Sequence, residues 1–282
     1  MKRYCLLAVL LCVSPMPVDA QSILQNAWSD IKHGTLDVGY VWTSPIRLSR
    51  RDLPALAAFA GATAVTLPFD DNLQDWLRAH PESVPVEAVS WFREGEPGEE
   101  LGDIWMFIRG SGALWLIGLA VGSETLREAA VGCVSAGVAQ TFPRRLVMYN
   151  LVQRTRPRFT GDPYRFDVPG SEVWDQRSFF GGHGANAMTC ITFWNHRFDM
   201  GLVEPVLYAA GIATAVARTV DEAHWTSDTL IGIVFGYAVG RTVALRQKAR
   251  QRGENPTVEG QSGFQLNYLG DGRFGLGWRY RL

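Results

Sequence analysis

Cysteine is scarce, at four residues in 282, too few for a disulfide framework to stand in for a hydrophobic core. Net charge is almost absent as well. With 27 basic against 28 acidic side chains, no global basic field draws the chain to nucleic acid. No internal repeat and no low-complexity segment is present, which excludes solenoids and low-complexity arrays. Long apolar runs are also missing. Leu53–Phe69 is uncharged over 17 residues and Ala129–Pro143 over 15, whereas crossing ~30 Å of hydrocarbon takes about 20. Arg109, Glu124, Glu204 and Arg241 interrupt the other candidates. Such lengths favour buried helices of a compact bundle over short, tilted spans. What the chain does hold is 47% apolar residues, with 10 Trp and 14 Phe. That is enough for a sizeable core and excludes a disordered, collagenous or coiled-coil protein.

The first twenty residues read as an address. Lys2 and Arg3 precede the apolar stretch Tyr4–Val13, and Val18-Asp19-Ala20 supplies small residues at a cleavage site before Gln21. This order fits a secretory signal peptide over 1–20 and an exported protein, periplasmic or membrane-associated and facing the periplasm. Leu11 before Cys12 does not fit a lipoprotein box. Cleavage would remove Cys5 and Cys12. Cys133 and Cys190 would remain in apolar surroundings, expected as two buried thiols rather than a bridge, although that compartment permits one.

The remainder divides into an N-terminal extension over 21–50, a helical domain over 51–252 and a tail over 253–282. Ser49-Arg50-Arg51-Asp52 resembles a capping box before Leu53–Phe69, and Thr125-x-x-Glu128 another before a helix running towards Val152. Pro81, Pro85 and the stretch 94–100 mark a polar excursion. Further helical patterns cover 101–108, 113–121, 185–193, 202–217 and 229–245. Arg246, Lys248, Arg250 and Arg252 end the last helix with positive charge, which suits its dipole. Beyond it, 264–268 and 274–280 alternate strictly around Gly270-Asp271-Gly272, the signal of a β-hairpin.

Three clusters carry chemistry. In Arg154-Thr-Arg156-Pro157-Arg158, alternating guanidiniums follow a helix that proline stops. In Ser178-Phe-Phe-Gly181-Gly182-His183-Gly184, glycines before a helix let main-chain N–H groups approach phosphate oxygens, and His183 is placed to protonate a leaving oxygen. In the third, Arg218 precedes His224 and Asp228. On a helix His224 and Asp228 would share a face, so that Asp228 accepts from one imidazole nitrogen and leaves the other nucleophilic. Taken singly, each has a plainer explanation: a solvated helix end, a flexible loop, a surface His–Asp pair. Together and in this order they make a kit for phosphoryl transfer through phosphohistidine.

The clusters resemble the three-part signature of the type 2 phosphatidic-acid phosphatase and vanadium haloperoxidase superfamily, Lys-x6-Arg-Pro, Pro-Ser-Gly-His and Ser-Arg-x5-His-x3-Asp. Arg156-Pro157 matches the end of the first motif and Gly182-His183 the end of the second. Arg218, His224 and Asp228 match the third at its spacing. The resemblance implies an all-α helical bundle with the β-hairpin as an addition, and hydrolysis of phosphate esters or pyrophosphates without metal or other cofactor. His224 would attack phosphorus, His183 protonate the leaving group and Asp228 orient His224, while Arg156 and Arg218 hold phosphoryl oxygens. The expected partner is a phosphorylated lipid or a small phosphoester, with membrane contact and no nucleic acid.

The chain also departs from the signature. Tyr149 stands at the lysine position, Phe180 and Gly181 replace Pro-Ser, and Ala217 replaces the serine before Arg218. Phosphate binding is then expected from Arg156, Arg218, Gly181 and Gly182, with Tyr149 donating a hydroxyl and Arg154 substituting for the missing charge. The first reading is a phosphatase acting on a phosphate monoester or pyrophosphate, lipid-linked. Its rivals are a non-catalytic phospholipid- or phosphoglycan-binding protein on the same cradle and a vanadate-dependent oxidant.

Overall fold

The structure, a computed structural model, describes residues 20–50, 52–167, 176–254, 263–270 and 273–279; the side chains of 147–149 and of the last two segments lie outside that description. The expected signal peptide, save Ala20, also lies outside it. The fold is all-α. Its main helices are α1 (Ala20–Trp42), α2 (Leu53–Thr66), α3 (Asp70–Ala79), the short α4 (Val84–Glu87), α5 (Ile104–Ala120), α6 (Glu124–Pro143), the short α7 (Tyr149–Leu151), α8 (Gly182–Phe198), α9 (Glu204–Val220) and α10 (Thr226–Gln251). In the tail, backbone segments Gly263–Gly270 and Arg273–Arg279 pair antiparallel. Their side chains, on which the apolar-face expectation rests, are outside the described residues.

Helix α8 is the centre of the body. Thirteen of its 17 residues are buried, between α6, α9 and α10. The approach of α10 is a matter of missing side chains. A Cβ on Gly232 would stand 2.4 Å from the carbonyl oxygen of Gly181, one on Gly236 2.5 Å from that of Ala185, and one on Gly240 2.2 Å from that of Thr189. Four-residue spacing puts all three on one stripe of α10, so the two backbones meet along just over two turns. On the other side, Gly132 of α6 faces the Phe193 ring.

Cys133 of α6 and Cys190 of α8 form a disulfide, which corrects the expectation of two free thiols. The residues are 57 apart in sequence, and only the crossing of α6 over α8 brings them together. In the loop-closure model a ring of that size restrains the unfolded chain by about 4 kcal/mol.

The 21–50 segment contributes α1 to the same body. Asp37 is fully buried and takes Arg246 Nε at 2.7 Å and Arg250 Nη2 at 2.6 Å, while Asp30 takes Arg127 Nε at 2.9 Å. The basic end of α10 is therefore partly an anchor for α1. Cap positions differ from the expected ones. Helix α2 starts at Leu53 with Asp52 at its N-cap, because the Asp52 carboxylate turns back onto the Ser49 N–H and Oγ instead. Ser123, not Thr125, caps α6 by accepting from Leu126 N.

A larger correction concerns α2. Expected as a buried helix, it buries none of its residues, and Leu53, Leu56 and Val65 are exposed. An apolar run reports aversion to water, not whether protein or lipid replaces the water. Leu53–Ala79 and Thr226–Gln251 are each long and apolar enough to cross a membrane by length and composition, although 44% of the window in the second is buried inside the body.

The glycine stripe predicts opposite outcomes for one type of substitution. Gly236→Ala meets a backbone carbonyl that cannot yield locally, and should destabilise by ~1–3 kcal/mol. Gly110→Ala at an exposed position of α5, where a Cβ meets nothing within 4 Å, should stabilise by up to ~1 kcal/mol through helix propensity. Thermal unfolding midpoints of the two variants should move in opposite directions.

Candidate active site

The end of α6 prepares one wall of the site. Pro143 has no N–H for the carbonyl four residues back, and that carbonyl, of Ala139, accepts from Trp42 Nε1 at 3.1 Å. Beyond it the chain widens into a π-helical turn, Arg144–Met148, a form that clusters at functional positions. Arg144 is buried there. Its Nη1 would lie 2.3 Å from a Cβ on Gly182, so the guanidinium lies against the first turn of α8.

A cleft of about 300 Å³ opens between this turn, the start of α5, the start of α8 and the segment after α9. Arg144, Arg145, Arg156, Arg218, Gly182, His183, Asn186 and His224 line it, with Gly102, Asp103, Ile104 and Trp105 on the α5 side. It brings together His183, His224, Arg156, Arg218 and Gly182 from the sequence-predicted set. Four guanidiniums thus face the N-terminus of a 17-residue helix, whose first N–H groups have no partner within the helix. This is an anion site by charge and by donors.

His224 precedes α10 rather than lying on it, so the expected shared helical face with Asp228 is not formed. Its Nδ1 is 2.6 Å from the Ser178 carbonyl oxygen. A carbonyl can only accept, so the proton resides on Nδ1 and Nε2 is left with its lone pair. Nε2 accepts from Gly182 N at 3.4 Å, which aims it at the start of α8 and into the cleft. Burial, with Arg156 and Arg218 next, holds this imidazole well below its ordinary pKa, so it stays neutral.

Asp228 corrects the expected dyad. None of its hydrogen bonds goes to His224; Oδ2 accepts from Ser178 Oγ at 2.5 Å and Oδ1 from Arg154 Nη1 at 2.9 Å. Its link to His224 runs through Ser178, whose hydroxyl donates to Asp228 and whose carbonyl accepts from Nδ1. Burial pushes the Asp228 carboxyl up to about 6, opposed by Arg154.

Two further expectations are corrected. Arg154 does not line the cleft. It is almost wholly buried between Asp228 and Asp70, whose Oδ2 is 2.7 Å from Arg154 Nη2. Gly181 does not offer its N–H to a ligand, because that group donates to the Asp228 carbonyl at 3.0 Å. The Tyr149 side chain is outside the described residues. Sequence reasoning missed Arg144 and Arg145. Pro143 followed by paired arginines is the one signal that could have found them, since the approach itself needs the π turn.

Arg218 is held by the polar excursion. Its Nη1 is 3.1 Å from Glu99 Oε1 and 3.6 Å from Asp221 Oδ2, and its Nη2 is 3.6 Å from Glu94. Glu99 Oε1 also stands 3.7 Å from His183 Nε2. One carboxylate oxygen thus bridges the guanidinium and the imidazole across the cleft. Burial, then Arg218 and Arg144, push His183 down to about 4.

That depression has a consequence for binding. A phosphate dianion beside His183 raises its pKa. Between about 4 and the new value the complex carries a proton that the free protein lacks. Binding of inorganic phosphate at pH 7 should therefore take up protons at His183, read as a dependence of calorimetric heat on buffer ionisation. His183→Gln should lose that uptake and keep only the protons that phosphate itself exchanges, and a parent protein with the same dependence as His183→Gln would contradict the placement of His183.

No curated protein and no solved structure matches the chain. Residues 129–252, which carry the cleft groups from Arg144 to His224, match the family model described as the PAP2 superfamily. That segment, set in an all-α body, is similar to the type 2 phosphatidic-acid phosphatase superfamily.

Proposed function

We propose that the protein hydrolyses a phosphate monoester or diphosphate carried on an apolar alcohol, through a phosphohistidine and without metal. The match of residues 129–252 to the superfamily model supports phosphatase-type activity in general. The observation that carries the specific reading is the His224 geometry: an unprotonated Nε2 directed at a cleft that also holds His183 and four arginines.

The steps follow from these positions. Arg144, Arg156 and Arg218 bind the nonbridging oxygens, and Gly182 N–H, released by His224 Nε2 as that nitrogen turns to phosphorus, adds a helix-terminal donor. Bound phosphate displaces Glu99 from Arg218 and raises the pKa of His183, so the acid gains its proton when substrate arrives. His224 Nε2 attacks phosphorus in line. As the N–P bond forms, the P–O bond to the leaving oxygen, that of the alcohol in a monoester or of the inner phosphate in a diphosphate, breaks and this oxygen takes the His183 proton. His183, now neutral, accepts a proton from water that attacks the phosphohistidine; the N–P bond breaks, Nε2 recovers its lone pair, and inorganic phosphate leaves.

The apolar alcohol is argued from the rim. Trp105, 61% exposed, lines the cleft, and Leu116 and Ile117 are exposed further along α5, beyond Arg109. Together with α2, this supports a protein lying against lipid. The disulfide supports an oxidising compartment, and so the exported reading.

Rapid-quench labelling should trap acid-labile phosphohistidine in the parent and none in His224→Ala. Across lipid phosphates, isoprenoid pyrophosphates and soluble esters, kcat/KM should favour the apolar alcohols. Asp228→Asn, acting through Ser178, should lower kcat by about 10–100-fold, the range for supporting groups one shell away. Tight phosphate-ligand binding without any turnover would establish the non-catalytic reading instead.

A further inference from the structure

We infer that Asp70, at the start of α3 and outside the segment matched to the family, is a positioning residue for the His224 imidazole. The inference rests on His224 being the nucleophile. Asp70 is fully buried. Its Oδ1 accepts from Ser227 N at 2.9 Å, and its Oδ2 accepts from Ser227 Oγ at 2.5 Å and Arg154 Nη2 at 2.7 Å. Arg154 continues to Asp228 Oδ1 at 2.9 Å and to Ser227 Oγ at 2.8 Å. Asp228 holds Ser178 Oγ, and the Ser178 carbonyl holds His224 Nδ1. Four hydrogen bonds therefore connect α3 to the nucleophile, all between buried groups.

The arrangement exceeds what capping a helix requires. A neutral Ser or Asn side chain accepts from an N-terminal N–H as well as a carboxylate does. Placing two carboxylates on one guanidinium, with every partner out of water, is a poor route to stability, because burying charges offsets much of their attraction. It does fix geometry. With Asp70 on Nη2, Arg154 can give only Nη1 to Asp228, which leaves Asp228 Oδ2 to Ser178. Without Asp70, Arg154 is free to take both Asp228 oxygens in a bidentate pair. Ser178 Oγ then loses its acceptor, its peptide is free to turn, and the carbonyl no longer selects the Nδ1–H tautomer of His224.

Asp70→Asn keeps the size and the Ser227 acceptor but turns an N–H towards Arg154. With selectively 15N-labelled histidine, its His224 signal should shift from one Nδ1–H tautomer in the parent to a mixture. Phosphohistidine formation should slow by about 10–100-fold with KM changed less than about two-fold, because Asp70 touches no group that lines the cleft. Asp71→Asn, one residue on, should change none of these. Should Asp70→Asn fail to fold, Ser227→Ala removes the hydroxyl that joins Asp70 to Arg154 and should move tautomer and rate the same way by a smaller factor. An unchanged tautomer, with the parent's rate per folded molecule, would overturn the inference and leave Asp70 as scaffold only. A parent that forms no phosphohistidine would fail the phosphatase reading, while the tautomer readout would still decide the role of Asp70.

Discussion

The backbone contact between α8 and α10 is the constraint on which the site depends. At Gly232 it brings the Gly181 carbonyl to within 2.4 Å of where a side chain would begin. That is possible only because α10 has no Cβ there. The same approach lets Gly181 N–H donate to the Asp228 carbonyl and puts Gly182 N–H beside His224 Nε2. Two stretches of chain more than forty residues apart are thus locked by main-chain atoms, and the side chains that do chemistry are placed as a result. Even the missing serine at position 181 fits this account, since a Cβ there would come to 3.3 Å from Thr229 Cα.

With that frame rigid, the electrostatics follow. Four arginines and a helix N-terminus around about 300 Å³ would repel one another without anions. The chain supplies its own in Glu94, Glu99 and Asp221. These carboxylates hold Arg218 in place and keep the cleft near neutrality until a ligand of higher charge displaces them. The histidines respond to the same field. Between arginines, with His224 out of water and His183 partly exposed in the cleft, both are held neutral, which suits the proposed nucleophile at rest and makes the proposed acid conditional on substrate.

Much of the cleft is legible in the sequence, because groups suited to phosphate must be of particular types at particular separations. His183, His224, Arg156 and Arg218 are found that way, and the helical fold follows from periodicity and resemblance. What is not legible depends on how elements meet. Arg144 reaches the cleft only because the turn after Pro143 widens. Arg154 looks equivalent to Arg156 in an alternating run, yet one guanidinium enters the core and the other the cleft. The Cys133–Cys190 bond needs α6 to cross α8. The apolar run of α2 reads as core by composition, since hydropathy does not distinguish a protein neighbour from a lipid one.

The departures from the family signature then look less like losses than relocations. Positive charge absent at position 149 is present at Arg144, one π turn upstream. Orientation of the imidazole, assigned by resemblance to Asp228 alone, is spread over Ser178, Asp228, Arg154 and Asp70. The last of these belongs to the arm formed by α2 and α3, in which α2 buries nothing and α3 buries only Asp70 and Gln74. That arm is rooted in the body by polar groups while its apolar surface remains free. Hydrogen bonds are directional where apolar contacts are not, so the attachment of the arm at Asp70 fixes the positions of Ser227 and Arg154, and through Arg154 that of Asp228.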